Sequence, residues 1–446
     1  MNYFIIGIGG CGNKIVSQGV EAGIISKSKY LLMNSTDKDI PAGYKAIVFS
    51  ENKDYGCAKN RAASKSLIIN WLQNGGADEL ADTIDETVDC VIIVNSTEGG
   101  TGSGAADIIC KYLSDDLDIP SVINIPVFGF SESSAGCSNS LKYLKDISEN
   151  ISVLPVSNQK AQKTFDNVGV NTFKTESQVN KNVLEQIKAI IGQDIKPSEQ
   201  NIDDADHLAI IGNPGLMFIT TIDLTDIRDI KTFNNAIIES IAHSISFDID
   251  PTLATNSVKM GIYLNITDAR LDYIGNDFSV LKKRLFGDYV PSSFMHKQYH
   301  EEYGEFARII VSGLDIPISE AEKLKAAIDT AGTFSGNSSS SFYDQIQDVV
   351  IDETENTRKR KARSGGSFLD SLSTDESDKE AEHVLSMRGG RSRRRGGSNS
   401  GSTAATTSSP VTTSTTAQAP ATTSRTTDNG SPLVGRKVVV SEKPNK

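Results

Sequence analysis

Glu98-Gly99-Gly100-Thr101-Gly102-Ser103-Gly104 decides the reading of this chain. Four of the six residues from 99 to 104 are glycine and the other two carry hydroxyls. The stretch follows an apolar run, Val91-Ile92-Ile93-Val94, and leads into Ala105-Ala106-Asp107-Ile108-Ile109. That order predicts a strand feeding a glycine-rich turn at a helix start, which makes a phosphate cradle. Glycine permits positive φ and a close backbone approach. The free N–H groups and dipole of the helix start supply positive potential. Thr101 and Ser103 add hydroxyl donors. No lysine follows, so this is not the Gly-Lys-Ser/Thr type of phosphate loop.

A second glycine loop lies upstream. Met1 to Ile6 reads as a buried strand leading into Gly7-Ile8-Gly9-Gly10-Cys11-Gly12-Asn13, after which Lys14-Ile15-Val16 begins a helical segment. Gly7, Gly9 and Gly12 fit the dinucleotide fingerprint Gly-x-Gly-x-x-Gly. A dinucleotide domain, however, places an acidic residue at the next strand end, roughly 20 residues on. Here Tyr30-Leu31-Leu32-Met33 ends in Asn34-Ser35-Thr36-Asp37. A dinucleotide domain also has no use for the glycines at 99–104. A nicotinamide-dependent oxidoreductase is therefore the minor alternative.

Together the two loops and Asn34-Ser35-Thr36-Asp37 resemble the tubulin/FtsZ superfamily of polymerising GTPases, and the basic, flexible C-terminal segment is similar to that of its divergent plasmid and phage TubZ-like members. Glu98 departs from the family, which has Gly or Ala there. The resemblance implies an α/β fold: a parallel-sheet GTP-binding domain over 1–178, a central helix region over 179–205, and a smaller α/β activation domain over 206–345. It implies GTP and Mg²⁺, bound through Gly9, Gly10, Cys11, Gly12, Asn13, Asn34, Gly99, Gly100, Thr101, Gly102, Ser103 and Gly104.

Three further segments extend the resemblance. Gly56-Cys57-Ala58-Lys59-Asn60-Arg61-Ala62-Ala63 is similar to the loop that meets the γ-phosphate, with Lys59 and Arg61 either neutralising phosphate or lying on a solvated face. Ser121 to Ile125 reads as a strand bounded by Pro120 and Pro126. It leads to Val127-Phe128-Gly129-Phe130-Ser131-Glu132, where Glu132 is either the ribose contact or a surface carboxylate. The helical stretch Val179 to Ile187 supplies Asn182, with Asn180 as the second choice, for the guanine edge; an amide offers the donor and acceptor that a purine needs.

In the family, a loop after the central helix carries Asn-x-Asp-x-x-Asp/Glu into the site of the next subunit and positions the attacking water. Thr221-Ile222-Asp223-Leu224-Thr225-Asp226 has this spacing with Thr221 in place of Asn, making Asp223 and Asp226 the expected catalytic carboxylates. Carboxylates accept protons from water and orient hydrated Mg²⁺. The competing reading is that both cap a helix from Ile227 onward. Lys259 to Ile266 and Phe306 to Val311 read as strands of the second domain. His296 and His300, at i and i+4, suit one helix face, but no zincin motif surrounds them and no resident metal site is expected.

The chain has 446 residues and a formal charge of −12. Residues 351–446 hold 16 Lys/Arg and 11 Asp/Glu, a net of +5, which leaves −17 for 1–350. An acidic body argues against direct nucleic-acid binding by the folded part. The Ser/Thr-rich basic segment 351–446 cannot bury enough apolar surface to fold, so a disordered tail is expected. Such a tail suits DNA, a DNA-binding adaptor or an acidic partner, or serves only solubility. The five cysteines, Cys11, Cys57, Cys90, Cys110 and Cys137, have neither zinc spacing nor a disulfide framework. The opening strand is not a basic leader, and the apolar stretch 207–224 is broken by Asn213-Pro214-Gly215. A cytoplasmic protein without membrane insertion is expected, assembling head to tail with itself. DNA segregation or positioning is the leading task, with cell division, or a filament that hardly hydrolyses GTP, as the rivals.

Overall fold

The computed structural model describes residues 1–334 except 54–55, 132, 166–171, 199–201, 249–253 and 276. The expected disordered tail lies outside the described residues. The strands are β1 (Tyr3–Ile8), β2 (Tyr30–Asn34), β3 (Ala46–Val48), β4 (Cys90–Ser96), β5 (Ser121–Phe128), β6 (Ser152–Val153), β7 (Val156–Ser157), β8 (Gly215–Asp223), β9 (Ala254–Asn265), β10 (Ser292–Gln298) and β11 (Phe306–Leu314). The first six helices are α1 (Gly9–Glu21), α2 (Arg61–Trp71), α3 (Ala77–Thr83), α4 (Thr101–Asp115), α5 (Ser134–Asp146) and α6 (Asn158–Thr164). The second six are α7 (Thr172–Ile190), α8 (Asp204–Ile211), α9 (Ile230–Ala242), α10 (Asp268–Ile274), α11 (Ser279–Phe286) and α12 (Ile318–Phe334).

All strands join one sheet in the order β10-β9-β11-β8-β6-β5-β4-β1-β2-β3, with β7 beside β5. Pairing is parallel except at β11, which is antiparallel to β8 and β9. The continuous apolar runs of β1, β4 and β5 follow from burial on both faces, as parallel strands require. On β1, Ile5 belongs to one core, while Phe4, Ile6 and Ile8 belong to the opposite one with α2 and α4. The core around Ile5 continues along the same sheet face to Met217, Ile219 and Ile310. Helix α7 lies on that shared face through Val179, Val183, Leu184, Ile187 and Ile190. Each such side chain contributes roughly 1.5–3 kcal/mol by burial, so α7 locks the two halves of the sheet together. A third core, around Phe218, Met260 and Ile309, covers the other face of the second half.

Several boundaries differ from the sequence expectation. Strand β1 runs on through Gly7 and Ile8, because α1 folds back over Gly7; a Cβ there would stand 2.7 Å from the Gly12 carbonyl oxygen. Strand β5 passes through Pro126. Val127 accepts a bond from Thr97 on the β4 side and Asn124 accepts one from Leu154 on the other. By alternation Pro126 faces the break between β6 and β7, where no ladder N–H is needed. The central helix occupies Thr172–Ile190 rather than 179–205. Helix α9 starts at Ile230, not Ile227. His296 is on β10 and His300 follows that strand, so they share no helix face.

Candidate functional site

Strands β1 and β4 are parallel neighbours, with Ile8 opposite Asn95, and each delivers a helix N-terminus at the same sheet edge. Neither α1 nor α4 has an acidic residue in its first turn, so two positive helix ends converge there. The two glycine loops pack on each other: Gly9 has φ +74°, and a Cβ on it would lie 3.0 Å from the Gly102 amide. Gly12 and Gly104 abut the carbonyls of Val94 and Arg61, too close for any side chain. Only Gly10 and Gly99 of these loops have nothing within 4 Å of a would-be Cβ. Thus most glycines serve packing, and these two border the free space an anion would enter.

The polar residues of the loops divide similarly. Thr101 and Ser35 share a hydroxyl contact of 2.8 Å, and Ser103 donates back to the Gly99 carbonyl, so both expected phosphate hydroxyls have internal partners. Asn13 donates to the Met33 carbonyl at 3.3 Å. Asn34 accepts the Ser35 N–H at 2.9 Å. The remaining Asn13 Oδ1 and Asn34 Nδ2 are buried without a partner. Buried unsatisfied amides are costly, and beside two helix N-termini they fit a polar ligand such as a nucleotide.

The third loop lies directly on the glycine loop. Ala58 and Lys59 have φ +47° and +61°, and a Cβ at Gly100 would be 2.9 Å from the Asn60 amide. Asn139 of α5 clamps both loops with one amide, donating to the Lys59 carbonyl at 2.9 Å, Glu98 at 3.1 Å and Gly99 at 3.4 Å. Sequence gave no sign of Asn139. Lys59 is exposed, whereas Arg61 is buried and pairs with Asp107 and Asp146 at 3.3 and 2.9 Å. Burial pushes the Asp146 carboxyl up, but Lys65 and Arg61 outweigh it and hold it below its ordinary value. Arg61 is thus committed to an ion-pair cluster and not to a phosphate. Glu98 reaches the Ser131 N–H at 3.0 Å, fixing the loop before α5. Glu132 lies outside the described residues.

Helix α7 meets the C-terminal half of α1 through Asn180, whose amide donates to Gln18 at 3.0 Å. Two residues on, and so about 200° around the helix, Asn182 lies on a different face with a buried Oδ1 that has no partner. The structure brings Asn180, not Asn182, against α1. The Cys11 thiol is pushed up to about 12, first by burial and then by Glu176 of α7, so it stays protonated.

The largest departure concerns the carboxylates. Asp223 ends β8 and Asp226 lies just beyond it, so neither sits on the loop that leaves the central helix. Being at the C-terminal end of a strand parallel to β6, they share the sheet edge of the glycine loops. Asp223 is engaged locally, accepting the N–H and hydroxyl of Thr225 at 2.7 and 2.5 Å, which hold its carboxyl below the usual value. Neither caps α9; Asp229 does, accepting the Thr232 N–H at 2.9 Å. Thr221 is a sheet residue whose hydroxyl accepts from Arg308 at 3.2 Å.

The segment that does follow the central helix ends in Asn201-Ile202-Asp203-Asp204-Ala205-Asp206, the Asn-x-Asp-x-x-Asp pattern without substitution. Asn201 lies outside the described residues. Asp203 caps α8 by accepting the Asp206 N–H at 2.8 Å. Asp203 and Asp204 are exposed and Asp206 half-buried. Asp204 pairs with the amino group of Met1, just ahead of β1, and α8 leads into the first residue of β8. Asp203 to Asp206 therefore stand at the N-terminal edge of the sheet, opposite the glycine loops.

Comparison with known proteins agrees with this architecture. Residues 2–166 match the model of the tubulin/FtsZ family, GTPase domain. The chain is 22% identical over 329 residues to cell division protein FtsZ 1 of Thermococcus kodakarensis, covering 72% of this chain and 83% of that one. Clostridium botulinum phage c-st TubZ superposes with a TM-score of 0.55 at 17% identity, over 74% of this chain and 98% of that chain. The GTPγS-bound protofilament of CetZ2 from Haloferax volcanii gives 0.57 at 15%, over 74% and 100%. Residues 2–166 of this chain, with both glycine loops and the Asn34 strand end in place, are a GTPase domain of the tubulin/FtsZ family.

Proposed function

We propose that the chain is a GTPase that assembles head to tail into filaments, each copy completing the hydrolytic site of its neighbour with Asp203 and Asp206. One observation carries this reading: the glycine loops and the Asn-x-Asp-x-x-Asp segment stand at opposite edges of one sheet. In a head-to-tail filament these edges meet, whereas Asp223 and Asp226 share the nucleotide edge and would face away from the neighbour's phosphates. Phosphates are received by the N-termini of α1 and α4 beside Gly10 and Gly99, and the ribose by Glu132. The base lies against α7, with Asn182 and then Asn180 as the candidate contacts. When bound, Mg²⁺ neutralises phosphate charge and keeps most of its waters, so it needs few side-chain ligands. One Asp203 oxygen caps α8, leaving the other to accept a proton from water. Hydrolysis of this kind depends on positioning more than on covalent chemistry.

The assembly reading draws support from the CetZ2 protofilament likeness. DNA segregation or positioning, through the basic 351–446 segment and a DNA-binding adaptor, is the cellular task we favour; the FtsZ 1 relative keeps cell division as the second reading. A cytoplasmic setting fits, and no helix of the described residues is long and apolar enough to cross a membrane. The test is phosphate release from GTP against protein concentration, with pelleting in parallel. Release that is negligible at low concentration and climbs steeply where pellets appear is the expected result. Turnover proportional to concentration, without pellets, contradicts shared-site hydrolysis.

A further inference from the structure

The segment that ends in Asp203 is held from behind by a chain of buried polar groups. His296 of β10 is 1% exposed. Its Nδ1 accepts the backbone N–H of Ile202 at 3.3 Å, the residue immediately before Asp203. Its Nε2 donates to Gln298 Oε1 at 3.1 Å, and this pairing sets the neutral tautomer. Gln298 Oε1 also accepts the Lys196 N–H at 2.7 Å, and its amide donates to the Asp194 carbonyl at 2.7 Å. The Asp194 carboxylate receives both terminal nitrogens of Arg308 at 2.7 Å. From α8, His207 donates to the Ile190 carbonyl at 2.7 Å and accepts the Tyr263 hydroxyl at 2.7 Å. Asp194, Lys196 and Ile202 are thereby tied to β10 and β11, while His207 ties α8 to the end of α7 and to β9.

We propose that His296 is a positioning residue for hydrolysis: it fixes the Ile202 peptide and, through it, the direction in which Asp203 is presented to the next copy. The proposal rests on the reading that Asp203 acts on the neighbour's nucleotide. A histidine serving only the core needs apolar neighbours and any partner; this one takes the Ile202 N–H, one residue before the proposed catalytic carboxylate. A backbone N–H that loses its buried acceptor must turn to find another, and the Asp203 cap turns with it. The groups facing the ring are Tyr263 from β9, Gln298 on its own strand, and the backbone of Lys196 and Ile202. The Asp194–Arg308 pair stands behind Gln298, and His207, Asp204 and Asp206 line the α8 side. Burial, the largest influence, lowers the His296 pKa against the raising effects of Gln298 and Lys196. A histidine lowered in this way takes its proton only below the ordinary value of about 6.5. The hold is complete above that pH and is lost as pH falls through and below it.

The experiment compares the full chain with His296→Leu, His296→Gln and Asp203→Ala, measuring kcat per pelleted protomer, KM, GTPγS affinity and the pH profile. His296→Leu removes the acceptor and is expected to lower kcat roughly 10-fold or more with KM, GTPγS affinity and pelleting unchanged. His296→Gln keeps an acceptor and is expected to restore most of kcat, and to remove the loss of turnover that the parent shows as pH falls below about 6.5. Parental kcat in His296→Leu alongside a dead Asp203→Ala overturns the proposal and leaves the shared site standing. Full turnover in Asp203→Ala overturns the shared-site reading itself. Should His296→Leu fail to fold, the pH profiles decide: a parent and a His296→Gln variant with the same acid limb contradict a role for His296.

Discussion

Asp203→Ala is expected to cut GTP turnover per assembled protomer by roughly 10²–10⁴-fold, the range for a lost proton acceptor, while nucleotide binding and pelleting persist. The nucleotide loops lie at the far sheet edge, so the substitution leaves the protomer's own pocket intact and empties its contribution to the neighbour. Asp203 also caps α8, and an alanine there costs about 1 kcal/mol of stability. Asp203→Asn separates the two effects: asparagine caps as well as aspartate but carries no charge to accept a proton. It should be as inactive as alanine and as stable as the parent. Asp223→Ala should keep turnover within about twofold, because that carboxylate is taken up by Thr225 on the nucleotide edge. Steady-state phosphate release with pelleting and thermal melting checks all three. An inactive Asp223→Ala beside an active Asp203→Asn would reverse the assignment.

Gly12→Ala should unfold the chain, whereas Gly10→Ala should leave it folded and weaken nucleotide binding. A Cβ on Gly12 would collide with the Val94 carbonyl, so α1 must leave the sheet, a backbone clash in the exceptional class above about 4 kcal/mol. A Cβ on Gly10 meets nothing within 4 Å. Its methyl instead occupies the free space at the α1 N-terminus and should lower GTPγS affinity by roughly 10-fold, about 1.4 kcal/mol. Melting curves and fluorescent-nucleotide titration distinguish the two. A stable Gly12→Ala, or a Gly10→Ala with parental affinity, contradicts this division of the glycines.

The nucleotide edge was legible because strand, glycine turn and helix occur in sequence order there, twice. Asn34 at the β2 end, where a dinucleotide site wants an acid, was equally readable. Asp223 and Asp226 read in sequence as the shared carboxylates, and the unsubstituted pattern at 201–206 that we propose in their place goes unread. That pattern falls at the end of the central helix region expected over 179–205, and the looser match at 221–226 takes the role. Helix α7 ends at Ile190 because Gly192 adopts φ +65° and Lys196-Pro197 follows. Glycine just past the last turn with proline beyond is a helix stop written in the sequence. The Arg61 ion pairs, the Asn139 clamp and the His296 contact were not legible, since their partners come from elements far apart in the chain. Arg61 stayed open between a phosphate role and a solvated face because Asp107 and Asp146 were out of view.

The most direct measurement mixes two inactive variants. Asp203→Ala keeps the nucleotide pocket and lacks the donated carboxylate; Gly10→Asp keeps the carboxylate and repels phosphate at a position with no packing role. A site shared between copies predicts that GTP turnover, absent from each alone, appears on mixing and is greatest near equal amounts. A mixture that co-pellets yet releases no phosphate would contradict the shared site.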